Sequence, residues 1–160
     1  MRALRRFIVY LALGFAFGGF LFYAGVVVPI GTSELGPTTQ GFVTRHVTKV
    51  INVANLVACA LVLIDVWAEW SSRSKVDRVV MLLCCVGIVG LALFLVWFHP
   101  MLEVLLDPDE LAVQDSERFY ARHRVYLWVS TFIWLFSLPL GWKFVNWNPR
   151  TDNKLLDSVN

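Results

Sequence analysis

The chain has 160 residues, of which 58% are hydrophobic, and a mean hydropathy of +0.63. Those values exceed the norm for a soluble domain, and a net charge of +2 without any long basic stretch gives no basis for nucleic-acid binding. Three cysteines, Cys59, Cys84 and Cys85, all fall inside apolar runs and form no CxxC, so they are expected as small core hydrophobes and not as a disulfide framework.

Four long apolar runs follow one another. A hydrocarbon core of ~30 Å takes ~20 apolar residues in a helix. The predicted spans are about 7–30, 47–69, 79–98 and 124–145. The first follows Arg2, Arg5 and Arg6, and it imitates a secretion signal. At ~24 residues it exceeds the usual 7–15-residue apolar region of such signals, so it is read as an uncleaved anchor that doubles as the first helix. It carries Gly14 and Gly18 in a GxxxG spacing, which predicts close helix packing. The segment from Pro29 to about Thr44 carries Gly31, Gly36, Pro37 and Gly41, and is expected to break the helix and turn.

In the second span Lys49, Asn52, Asn55 and Cys59 fall on roughly one helical face. Asn in hydrocarbon is costly unless paired, so this face is expected to look into the bundle or a wet cavity. Its two readings are interhelical hydrogen bonding and a polar pathway for a solute. Asp65 is the one carboxylate clearly inside a span; it is expected either to pair with Arg73 or Lys143 or to relay protons. The short Ser71–Asp77 link makes a hairpin of spans two and three.

Pro100 marks a stop or kink, and Met101 to Leu106 suggests a short interfacial helix. Asp107-Pro108-Asp109-Glu110 has Asp at the cap, Pro at the first helical position and Glu at the third, so helix four is expected to begin near Pro108 and project outside the bilayer. The fold class is therefore all-α: an up-down four-helix transmembrane bundle with a helical extension of the fourth helix on the outer side. It forms one domain, 1–147, followed by a polar cytoplasmic tail, 148–160.

Four spans put both termini on one side. That side, with the short link, holds nine basic residues (Arg2, Arg5, Arg6, Arg73, Lys75, Arg78, Lys143, Arg150, Lys154) against five opposite (Arg45, Lys49, Arg118, Arg122, Arg124). Lys and Arg favour the cytoplasm, so both termini are placed there, in an inner or plasma membrane. On that topology His46, His99 and His123 all sit at the outer ends of spans. Three imidazoles from three helices suit a metal, or two of them a haem, although no HxxH, HExxH or CxxCH spacing occurs; otherwise they satisfy local hydrogen bonds.

Three segments resemble the transmembrane protein 205-like family, a four-span group of unassigned molecular function. They are Gly18-Gly19-Phe20 through Val28-Pro29 to Gly41-Phe42, then Trp97-Phe98-His99-Pro100, then Phe119-Tyr120-Ala121-Arg122-His123. Where the family pattern has Ser and then Asn after the last of these, the chain has Tyr126 and Ser130. The resemblance implies four helices and a membrane location, and it singles out His123.

No phosphate-binding glycine loop, GxSxG or Ser/His/Asp set in a recognisable context is present, so an ordinary soluble-type active site is not expected. Its expected role is to handle a small solute, metal or lipid, or to support partner proteins. The alternative is a membrane metal- or haem-binding redox protein using the outer-face histidines. The expected partners are the lipid bilayer and a second copy or another membrane protein.

Overall fold

The computed structural model describes residues 1–107 and 112–146. It is an all-α bundle of four long helical rods. The first rod is α1 (Arg2–Phe22), a wide π-turn (Tyr23–Val27) and α2 (Val28–Leu35), continuous along 34 residues. The others are α3 (Pro37–Ala68), α4 (Lys75–Glu103) and α5 (Ser116–Asn146). Each rod is long and apolar enough to cross a membrane. At 1.5 Å per residue, 29 to 34 residues span roughly 44–51 Å, which exceeds a ~30 Å hydrocarbon core and leaves a turn or more beyond it. The protein is a multi-pass membrane protein. The end holding Arg2, Asn146 and the α3–α4 link is called the terminal end below, and the opposite one the loop end.

All four rods bury residues at alternating spacings of three and four. The series are Val9, Leu13, Ala16; Asn52, Asn55, Cys59, Val62, Val66; Met81, Cys85, Ile88, Ala92, Leu95; and Ile133, Ser137, Leu140, Phe144. That repeat keeps one narrow seam facing inward and underlies antiparallel bundles. The remaining faces carry large exposed apolar groups such as Phe15, Phe22, Ile64, Leu83, Leu93 and Trp128. This outward apolar surface is what a lipid solvent requires. The packing runs round a ring: α1 on α3, α3 on α4, α4 most extensively on α5, and α5 sparingly on α1.

The ends of the rods differ from several expectations. The turn after the first span is made by Gly36 alone, at φ +81°, where an L side chain is disfavoured. Gly31 and Gly41 lie in helices, and Pro37 opens α3, a position where its missing N–H costs nothing. Gly14 and Gly18 face outward, and a Cβ at either would meet no atom within 4 Å, so they pack against no neighbouring helix of this chain.

Pro100 neither stops nor separates a helix. α4 passes through it to Glu103, with Val104 N–H bonded to the Pro100 carbonyl at 3.1 Å and Arg122 Nη1 donating to the Met101 carbonyl at 2.6 Å. Helix α5 starts at Ser116, not near Pro108. Asp107 pairs with Ala112 and Leu106 with Val113 in a minimal antiparallel ladder, β1 (Leu106–Asp107) with β2 (Ala112–Val113). The cap is Asp115, whose Oδ1 accepts from Arg118 N–H at 3.0 Å. The extension of the fourth helix is thus about two turns long. Residues 108–111 and the expected tail 148–160 lie outside the described residues.

Candidate functional site

Helix α3 places Asn52 and Asn55 in its buried seam, each 7% exposed. The Asn52 amide donates to the Tyr126 hydroxyl of α5 at 3.0 Å. Both asparagines line a cleft between α1, α3 and α5, with Thr48 on α3, Phe17 and Phe20 on α1, and Ser130, Trp134 and Ser137 on α5. The cleft encloses about 20 Å³, enough for one water.

Its hydrogen-bonding inventory is uneven. Thr48, Ser130 and Ser137 donate back to the Thr44, Tyr126 and Ile133 carbonyls at 2.9, 2.9 and 2.8 Å. Their oxygens keep lone pairs to offer. The Trp134 indole N–H is buried and finds no acceptor among the described residues. A buried donor left without a partner costs on the order of 1–3 kcal/mol. The cleft therefore presents the Asn55 amide and hydroxyl acceptors beside a buried indole, and among the described residues no charged side chain lines it.

At the loop end, Lys49 Nζ meets Glu103 Oε1 at 2.7 Å, and His99 Nδ1 lies 3.5 Å from the same oxygen. His99 also stands edge-on to the Tyr126 ring at 6.1 Å. The chain Asn52, Tyr126, His99, Glu103, Lys49 thus ties α3, α4 and α5 above the cleft. His46 is exposed beside Arg45, and His123 stacks on Phe119 with centroids 5.6 Å apart. The three imidazoles occupy separate settings, and among the described residues no group of three or more His, Cys, Asp or Glu is placed to hold a metal ion. A second polar knot joins the π-turn of the first rod to α3: buried Gln40 donates to Tyr23 Oη at 3.3 Å, and Tyr23 Oη donates to Thr44 Oγ1 at 3.1 Å.

At the terminal end, Asp65 is fully buried between two guanidiniums, Arg5 Nε at 2.6 Å and Arg73 Nη2 at 2.7 Å. Glu69 is bound by Arg2 and, at 2.6 Å, by Arg5. Arg73 is itself buried, with its guanidinium over the Phe144 ring at 5.8 Å. Burial pushes the Arg73 pKa down, and the Asp65 carboxylate opposes that shift. Lys143 is not the partner of Asp65; it meets Asp77 at 2.6 Å.

The residues predicted for a polar pathway are therefore divided. Asn52 and Asn55 line the cleft, Cys59 packs in the core, and Lys49 and Asp65 belong to the ionic clusters at the loop and terminal ends of the bundle. Trp134, Ser130 and Ser137 were not anticipated as cleft residues. Ser130, Ile133 and Ser137 repeat the three-and-four spacing of the α3 seam, and that is the signal that marks them. Comparison of the chain with protein-family models, with curated proteins and with solved structures returned no match.

Proposed function

We propose that this multi-pass membrane protein binds a small neutral solute in the cleft between α1, α3 and α5 and passes or senses it there. The observation that carries this reading is a cavity lined by Asn52, Asn55 and Ser130 in the apolar seam, with the Trp134 indole in its wall. Polar groups are expensive in hydrocarbon unless paired, so a solute that pairs with the Asn55 amide and the hydroxyl relieves a standing cost. The uncharged lining disfavours ions, and space for a single water favours water itself.

The terminal end is proposed to be cytoplasmic, in an inner or plasma membrane, because seven of the twelve basic side chains among the described residues lie there. Kinship with the transmembrane protein 205-like family is part of the proposal and rests on the three segments quoted above.

The test is stopped-flow light scattering of proteoliposomes challenged with impermeant sucrose. The expected result is osmotic shrinkage faster than in protein-free vesicles, reduced to background by Asn55→Leu in protein that still folds. Water permeability equal to that of empty vesicles would overturn the reading.

A further inference from the structure

The polar residues of α3 do not end at the cleft. Gln40, Thr44, Thr48, Asn52 and Asn55 recur at spacings of four, four, four and three, so they run down one face of α3 from its first turn. Thr48, Asn52 and Asn55 line the cleft, and Thr44 and Gln40 lie one and two turns beyond it toward the loop end. Phe20 on α1 lines the cleft as well, and Tyr23 stands one turn beyond Phe20. The knot of Tyr23, Thr44 and Gln40 thus sits ~5 Å above the cleft, between the same two rods. Toward the terminal end the α3 seam continues as Cys59, Val62 and Val66, which are buried and apolar. The polar way out of the cleft therefore runs through the knot.

The knot also lies at the irregularity of the first rod. Tyr23 is buried, and its hydroxyl donates to Thr44 Oγ1 while accepting from Gln40 Nε2. Thr44 Oγ1 in turn donates to the Gln40 carbonyl at 2.8 Å, so the group is closed on itself. Tyr23 is the first residue of the wide turn, and Gln40 packs on Gly31 of α2, past that turn. A wide turn holds one residue more than an α-helix needs, and that surplus can be passed along the helix. If the Val28 N–H takes the Ala24 carbonyl in place of the Tyr23 carbonyl, the surplus moves into α1 and Tyr23 turns by about 100° round the rod. Its hydroxyl then leaves Thr44.

We propose that Tyr23 is the gate between the cleft and water at the loop end, latched by Thr44 and Gln40 and opened by migration of the wide turn. The gate regulates entry to the site for water proposed above, and so rests on that reading of the cleft.

Exchange of the Asn55 side-chain amide with water, followed by NMR on the full chain in lipid nanodiscs, tests the gate without requiring passage across the membrane. Tyr23→Phe keeps the ring and loses the latch, and is expected to speed exchange about tenfold, the worth of one or two such bonds. Thr44→Val removes the acceptor and is expected to act in the same direction. Deletion of Gly25 leaves no surplus residue to pass along, and is expected to slow exchange. Thr131→Val, at an exposed threonine bonded to its own backbone, is expected to leave the rate unchanged. Unchanged exchange in Tyr23→Phe, unchanged or faster exchange after deletion of Gly25, or an equal gain in Thr131→Val would each overturn the gate. Osmotic permeability reads the role of the cleft separately. Exchange that answers to Tyr23 in vesicles no more permeable than empty ones refutes passage and keeps the gate; permeable vesicles with exchange indifferent to Tyr23 refute the gate and keep passage.

Discussion

The Arg73 guanidinium lies 2.7 Å from the Asp65 carboxylate, and neither side chain is reached by solvent. Eight residues and the α3–α4 turn separate them in sequence, so their pairing closes that hairpin. Arg5 reaches the same carboxylate from α1 at 2.6 Å. One buried anion thereby holds three segments.

Asp65→Asn should therefore be the most damaging change at this end. Removing one partner of a buried pair costs about 3–5 kcal/mol, because the remaining charge is left uncompensated. Replacing Asp65 and Arg73 together, as Asp65→Leu with Arg73→Met, should recover most of that loss. Unfolding in mixed micelles of rising denaturing-detergent content measures both. If the double variant is no better than Asp65→Asn, the pairwise account fails.

The turn between α2 and α3 predicts a contrast between two glycines five residues apart. Gly36→Ala places a side chain at φ +81°, a conformation that costs about 1–3 kcal/mol. Gly41→Ala lies in a helix with no atom within 4 Å of the new Cβ, and it should be neutral or stabilising by about 0.4–1 kcal/mol. Equilibrium unfolding of the two variants checks the ordering.

Gly31 has a different reason to be glycine. A Cβ there would sit 1.9 Å from Gln40 Oε1, so Gly31→Ala must displace a buried side chain from its bond to Tyr23. We expect a loss of about 1–2 kcal/mol, the cost of buried bonds left unmade. In a Gln40→Ala background the same substitution should cost almost nothing. A double-mutant cycle with no coupling would show that the two residues do not meet.

The cleft predicts a spectroscopic signal. The Trp134 indole proton should show cross-relaxation with water, or with added urea, in protein held in lipid nanodiscs, and Asn55→Leu should abolish it. Tyr126→Phe, which strips Asn52 of its acceptor, should instead lower stability by about 1–3 kcal/mol. An indole proton silent toward water and urea alike would mean that the cavity is dry.

The spans could be read from the chain because bilayer thickness imposes a length and composition that local hydropathy reports directly. Asn52 and Asn55 stood out for a similar reason: a polar residue in a hydrocarbon seam conflicts with its surroundings. Arg73 was anticipated as a partner for Asp65 because it lies eight residues away, but Arg5 was not, since no local pattern registers a contact across 60 positions. The start of α5 misled for a physical reason. Asp107-Pro108-Asp109-Glu110 has the chemistry of a helix cap, yet Asp115 has it too, and the Leu106–Val113 pairing decides between them. Nothing local marks Trp134; its place in the wall of the cleft follows from the packing of the helices.

The wide turn at Tyr23–Val27 bears on how this chain tolerates changes in length. Its Val28 N–H reaches back five residues to the Tyr23 carbonyl, so the helix there accommodates one residue more than an α-helical turn requires. Tyr23 and Gly31 are eight positions apart, about 80° out of phase in an unbroken α-helix, yet both meet α3 because the wide turn absorbs the surplus residue. Excising Gly25 should thus heal the helix and keep both contacts aligned, whereas excising Ala12 would rotate one half of the rod by about 100° against the other. The first span has slack at one place, and insertions or deletions elsewhere along it would scramble the seam.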